Sequence, residues 1–344
     1  MDLVGHLAPK SEVPPGYPTS LTVSTDGMNE AGLTVSMQVF MQSVYMQPSL
    51  EASDTKNVCF AAITDWILGT FDSVKSLREA LNQTKIVGPK PALANVPSIA
   101  EKAGFHWSID DASEHIVLEV IDGVIKIHNN TVGVMTNQPD FTWHLRNLNN
   151  FVNLRSDWPP SNPDIQVQTD EVGLVPDTKV GHGFNLLGIP GDYSPPSRFV
   201  RLFYLRQYAM LRFPPKKRKD SIALATGLLN NVFINKGTAP DPTQGEGQFG
   251  EFTQYTVLKI PEARLFFYKD YTNTQWRKVR LGALEKAGVF LPKDGATPIT
   301  PIPLVEDCVS IKDVTALFTA SGSSTCEPDD DDDASSCESY VRGV

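Results

Sequence analysis

An α+β fold with antiparallel sheets is predicted for this chain by three observations. Its strands come as hairpins, the clearest being His115 to His128 around Asp122-Gly123. The hydrophobic period switches from two to that of a helix and back again. Strands return after a pair of helices, with none of the regular βα alternation that builds a doubly wound parallel sheet.

In chain order, residues 1–18 are rich in Pro and Gly, weakly patterned, and expected to be irregular. Thr19 to Ser24 alternates, with Leu21 and Val23 on one face, and predicts a strand ending at Asp26-Gly27. Leu33 to Val44 predicts a second strand after the Gly32 turn. Asn57 to Thr70 changes period: Phe60, Ile63, Ile67 and Leu68 share one helical face. Asp72 or Ser73 suits the N-cap of the next helix, whose apolar stripe is Val74, Leu77 and Leu81. Pro89-Lys90-Pro91 is expected to end it. In the hairpin, Ile116 to Ile121 and Val124 to Ile127 flank Asp122-Gly123, a pair that tolerates positive φ at both turn positions. Arg201 to Leu211 and Ser221 to Phe233 predict helices. Phe252 to Leu258 and Arg264 to Tyr268 predict two antiparallel strands around Pro261-Glu262. A single folded domain is expected over 19–318, followed by a disordered acidic tail over 319–344, where Ser, Asp and Gly leave little to bury.

The formal charge is −10 over 344 residues, and the tail holds much of it. Glu327, Asp329 to Asp333 and Glu338 stand there against Arg342 alone. The body is nearly balanced, which gives no electrostatic case for nucleic acid or an anionic membrane. No apolar run reaches membrane-spanning length. No secretory signal is visible, so the default expectation is a cytoplasmic location. The four cysteines, Cys59, Cys308, Cys326 and Cys337, include no C-x-x-C pair, so neither a disulfide framework nor a zinc site is expected. The six histidines show no H-x-x-x-H spacing, and metal binding is not expected.

Three stretches carry chemistry. They are M-T-N-Q-P-D-F-T-W-H-L-R-N-L-N-N-F (135–151), G-I-P-G-D-Y-S-P-P-S-R-F-V-R (188–201) and D-G-M-N-E-A-G-L (26–33). With E-F-T-Q-Y-T-V and F-F-Y-K-D-Y-T-N-T-Q-W-R (251–277), they resemble the choloylglycine hydrolase and penicillin V acylase family, in the family's order, from about Leu21 to about Leu281. The resemblance implies the four-layered αββα sandwich of the N-terminal nucleophile hydrolases. It also implies cleavage of linear amides by an N-terminal cysteine, whose own α-amino group, with an ordinary pKa of about 7.7–8.0, acts as general base. The oxyanion of such a reaction needs preorganised donors, each worth on the order of 3 kcal/mol.

By that resemblance, Asn137 in T-N-Q-P corresponds to the asparagine whose side-chain amide helps form the oxyanion hole. Arg198 in P-S-R-F corresponds to the arginine beside the nucleophile, where a cation lowers a thiol pKa. Counting from Asn29, the backbone donor falls at Val39, where the family usually carries Asn or Tyr. No metal or organic cofactor is required. The implied partner is a small N-acyl amide such as a conjugated bile salt or a penicillin, with specificity set by loops 84–105 and 129–142. Related enzymes often form homotetramers, which the sequence neither shows nor excludes.

The family's opening Cys, the Arg after it and the Asp of a G-R-x-x-D-W stretch find no match before Asn29. Too few residues precede Asn29 for two further strands, so the sandwich is expected to lack its first strands and the chain to be a shortened form of a longer protein. A silent relative that binds an acyl-amide ligand in the same cleft is the alternative. Cys59 lies in V-C-F-A-A-I-T-D-W, expected to be an apolar helix, which makes it a buried, inert thiol rather than a substitute nucleophile.

Other features have plainer readings. Asn137 alone could cap a turn before Pro139, and Arg198 alone could be a buried ion-pair partner. Gly245-x-Gly247-x-x-Gly250 lacks the strand-before, helix-after setting of a dinucleotide site. Pro215-Lys216-Lys217-Arg218-Lys219 reads as a solvated loop between helices, and only with the acidic tail does it suggest a nuclear interaction protein. Asn82-Gln83-Thr84 and Asn129-Asn130-Thr131 are glycosylation sequons that matter only in a secretory setting.

Overall fold

The computed structural model describes residues 2–6, 20–46, 57–88, 104–156, 168–169, 173–174, 183–240 and 250–286. Strand β1 (Asp2–His6) pairs antiparallel with β2 (Ser20–Ser24), Asp2 opposite Ser24. Next come β3 (Asp26–Met28), β4 (Thr34–Val39) and β5 (Asn57–Cys59). Helices α1 (Ile63–Thr70) and α2 (Val74–Leu81) follow, then β6 (Lys85–Val87), parallel to β5. Strands β7 (Phe105–Asp110), β8 (His115–Ile121) and β9 (Val124–Asn129) complete a five-stranded antiparallel sheet of order β3-β4-β7-β8-β9. Helix α3 (Phe141–Asn147) and the short pair β10 (Gln168–Thr169) and β11 (Gly173–Leu174) lead to α4 (Pro195–Arg212) and α5 (Arg218–Asn230). Strands β12 (Tyr255–Ile260), β13 (Leu265–Asp270) and β14 (Arg277–Arg280) form a three-stranded antiparallel sheet, and α6 (Leu281–Lys286) closes the described chain.

Strand periodicity sorts the five-stranded sheet into two unlike faces. Val35, Trp107, Ile109, Ile116, Leu118 and Val120 point one way and form one core with Phe60, Ile63 and Ile67 before and along α1, and with Val74, Leu77 and Leu81 of α2. Burying each such aliphatic side chain contributes about 1.5–3 kcal/mol. The α2 stripe faces inward because its cap sets the helix there: Ser73 is extended and its hydroxyl accepts from the Ser76 N–H. The opposite face carries Ser36, Gln38, His106, Ser108, Val117, Glu119 and His128. It meets α3 and α4 through Val117, Phe141 and Phe199.

The second sheet lies over this polar face. Lys259 of β12 donates to Asp26, to the Val35 carbonyl at 3.0 Å and to the Ser36 hydroxyl at 2.7 Å, while Thr25 and Tyr255 share a 2.6 Å hydrogen bond. Lys269 of β13 points to the other side of that sheet and donates to Asn230 of α5 at 3.1 Å. The layers therefore run helix, sheet, sheet, helix, as an αββα sandwich requires.

Three sequence expectations are corrected. Residues 1–18 are not wholly irregular: β1 lies among them, and β1, β2 and β3 all precede Asn29. Cys59 is not in a helix and is not buried: it is exposed at the end of β5, opposite Val87 of β6. The helical periodicity begins only at Phe60, and Cys59 before it is extended (φ −65°, ψ 133°). Helix α2 ends at Leu81 and β6 follows it, so the proline pair at 89–91 is not its stop. Element boundaries move as well, among them that of β4, which ends at Val39 rather than Val44, and that of α5, which ends at Asn230 rather than Phe233. Helix α4 begins at Pro195 rather than Arg201, and Arg218 and Lys219 belong to α5 rather than to the exposed loop before it. The stretch 241–249, holding Gly245 and Gly247, and everything after 286, including the acidic tail, lie outside the described residues.

Candidate active site

Three elements deliver Val39, Asn137 and Arg198 to one place. Residues 130–140 run from β9 to α3 and hold themselves by local bonds. Asn130 Oδ1 accepts from the Gly133 N–H at 2.8 Å, and Gly133 takes φ 66°, open to glycine at no steric cost. Asp140 caps α3 by accepting from the Trp143 N–H at 3.0 Å. Pro195 opens α4, and Arg198 sits in that helix's first turn.

Asn137 is the hub. Its Oδ1 accepts from Arg198 Nη2 at 2.7 Å, and its Nδ2 donates to the Val39 carbonyl at 2.8 Å. These partners fix the carboxamide orientation, oxygen toward the guanidinium and nitrogen toward β4. An amide nitrogen has two hydrogens, so one donor remains for a ligand. Arg198 Nε donates to the Tyr193 carbonyl at 3.0 Å. Burial lowers the Arg198 pKa and the Glu251 carboxylate opposes that shift; guanidinium remains a cation.

Sheet geometry decides where the Val39 N–H points. Phe40 N donates to the Gly104 carbonyl, so Phe40 and Gln38 use their backbone groups on β7. Met37 N donates the other way, to the Thr25 carbonyl. Val39 lies two residues on from Met37 and faces the same side, past the end of β3. Its N–H and C=O therefore leave the sheet together, toward Asn137.

Beneath these residues is a buried polar cluster that sequence reading missed. Glu119 and His106 are 0% and 1% exposed. Glu119 Oε1 accepts from the Phe141 N–H at 2.9 Å and lies 3.3 Å from His106 Nδ1. His128 Nε2 is 3.3 Å from Glu119 Oε2, without hydrogen-bond alignment. Burial pushes the Glu119 pKa up, but the neighbouring His106 and His128 imidazoles and the Phe141 N–H outweigh it and hold the carboxyl at about 2. The signal was available: a carboxylate in H-I-V-L-E-V-I, a strand buried on both faces, needs partners. Arg201 was also unassigned. It is 7% exposed and ties α4 to the carbonyls of Asn231, Pro190 and Asp192. Among the described residues no group of three His, Cys, Asp or Glu side chains could hold a metal ion. No described helix is long and apolar enough to cross a membrane.

Two facing antiparallel sheets between helices are the architecture of the N-terminal nucleophile hydrolase fold. The family model for linear amide C–N hydrolases of the choloylglycine hydrolase family matches residues 16–291. The chain belongs to that family. It is 35% identical over 263 residues to the bile salt hydrolase/transferase of Clostridium perfringens, covering 75% of this chain and 71% of that one. It is 32% identical over 256 residues to the conjugated bile acid hydrolase of Lactobacillus acidophilus, covering 73% and 72%. A cysteine-to-alanine mutant of the conjugated bile acid hydrolase of Clostridium perfringens superposes with TM-score 0.63 at 30% identity, over 76% of this chain and 74% of that one. The penicillin V acylase of Agrobacterium tumefaciens shares the fold, with TM-score 0.52 at 20% identity over 76% and 69%.

Proposed function

We propose that the Val39–Asn137–Arg198 site serves hydrolysis of an N-acyl amide, such as a conjugated bile salt or a penicillin side-chain amide, by acyl transfer to cysteine. The convergence of Asn137 Nδ2, the Val39 backbone and Arg198 carries this reading. In the first step the thiolate of an N-terminal cysteine, which the sequence as it stands does not hold, attacks the amide carbon and the carbonyl oxygen gathers negative charge. The second Asn137 Nδ2 hydrogen and the Val39 N–H meet that oxygen from one side, a fixed pair of donors that need not reorganise. Arg198 supplies positive charge that favours the thiolate. The tetrahedral centre then collapses, the C–N bond breaks and the amine leaves with the proton that the cysteine's α-amino group took from the thiol; water, deprotonated by the same amine, then releases the acyl group from sulfur.

A second reading is binding of an acyl-amide ligand without turnover. It is favoured by the placement of Cys59, exposed at the end of β5, with no bond from it to Val39, Asn137 or Arg198. One experiment separates the two. The protein is isolated from its native source, its first residue is identified by mass spectrometry, and it is incubated with glycocholate and penicillin V. Released amine together with an N-terminal cysteine supports hydrolysis. Saturable binding without release supports the second reading, and neither binding nor release overturns both.

A further inference from the structure

We propose that His144 is a positioning residue that holds Asn137 and Arg198 in register with each other. The inference deepens the reading of the site above and rests on it for its functional meaning. His144 lies on α3, one turn in, and is 1% exposed. Its Nε2 is 2.9 Å from the Asn137 carbonyl oxygen. A carbonyl only accepts, so Nε2 must carry the hydrogen, which fixes the tautomer. Through this bond the ring fixes the backbone of the residue whose side chain meets Arg198.

The same ring controls the other partner. It stacks on Phe199 with centroids 4.5 Å apart and planes at 11°. Phe199 is fully buried and follows Arg198 directly in α4. One imidazole therefore touches the Asn137 loop through an edge and the first turn of α4 through a face. Thr136 repeats the link at the backbone, its hydroxyl donating to the Pro195 carbonyl at 3.1 Å and lying 3.4 Å from His144 Nε2.

The helix that carries His144 is itself anchored. Its first N–H, on Phe141, is held by the buried Glu119 carboxylate at 2.9 Å, and Asp140 caps it. The titratable groups that face His144 are His106 of β7, Glu119 of β8 and Asp140 at the head of α3. His144 Nδ1 is buried with no partner, so a second proton there would be unsatisfied. The neutral Nε2–H form is the one that fits the Asn137 carbonyl.

Two variants separate the bond from the packing. H144F keeps a ring against Phe199 and removes the donor; H144Q restores a donor near Nε2. Nitrogen-15 spectra of the full chain report the tautomer, and crystal structures report the Asn137–Arg198 contact. The expected results are a single Nε2–H tautomer from pH 6 to 8, loss of the Asn137 Oδ1–Arg198 hydrogen bond in H144F, and its return in H144Q. Glycocholate affinity should fall about tenfold or more in H144F and recover in H144Q. An Nδ1–H tautomer, or an H144F structure with that contact intact, overturns the proposal. If H144F does not fold, the tautomer and the H144Q contact decide. If the unmodified protein does not bind glycocholate, the functional reading falls, while the tautomer and the contact still decide this inference.

Discussion

Replacing Glu119 by Gln tests the buried cluster beneath the site. The side chain is 0% exposed, accepts from the Phe141 N–H at 2.9 Å and lies 3.3 Å from both His106 Nδ1 and His128 Nε2. Gln keeps the shape and one acceptor oxygen but removes the charge and turns an NH2 group into the cluster. Breaking a buried, charge-assisted network costs on the order of 2–4 kcal/mol. For a domain of about 300 residues that is a fall in Tm of roughly 3–6 °C at pH 7. The pH dependence sharpens the test. A carboxyl held at about 2, against an ordinary 4.5, is depressed by folding. Its stabilisation is complete above pH 4.5 and is lost as pH falls from 4.5 to about 2, a change on the order of 3 kcal/mol. Denaturant melts of the two proteins between pH 2 and pH 7 should show their stabilities converging toward the acid end. Equal stability at pH 7, or a gap that persists unchanged at pH 2, would refute the reasoning.

Four further outcomes follow from the same structure. Ser73→Ala, which removes the α2 cap bond to the Ser76 N–H, should cost about 1 kcal/mol in denaturant melts. Leu77→Ala, in the core between α2 and the five-stranded sheet, should cost about 2–5 kcal/mol by the same measurement. Lys259→Met strands the Asp26 carboxylate between the sheets and should cost about 3–5 kcal/mol; adding Asp26→Leu should recover much of that loss. Asn137→Ala removes the side-chain donor of the proposed oxyanion site, so kcat for amine release should fall by about 10²–10³, beside a stability loss of about 1–3 kcal/mol from the lost Arg198 partner.

What was legible in the sequence was local. The His115 to His128 hairpin could be read because Asp122 and Gly123 tolerate the φ values of 52° and 74° they adopt. Helix α2 could be read because its cap and its stripe lie within nine residues of chain. Asn137, Arg198 and Val39 could be singled out through long flanking motifs; in the structure Asn137 bonds both Arg198 and the Val39 carbonyl, and their part in the reaction is the proposal made above. What stayed hidden depends on distant partners. Strand β1 has no alternation of its own and exists by pairing with β2. Cys59 falls at the boundary between an extended and a helical segment, where periodicity cannot fix which side a residue joins. The roles of Glu119, His106 and His144 arise only when β7, β8, α3 and α4 come together. Spacing that excluded metal ligation said nothing about a histidine reaching a backbone carbonyl.

The most direct test is a crystal structure of the protein with glycocholate bound. The account predicts the conjugate's amide carbonyl oxygen at about 3 Å from both Asn137 Nδ2 and the Val39 backbone nitrogen, with Arg198 still bonded to Asn137. A conjugate seated away from those two donors, with its carbonyl held by other groups, would contradict it.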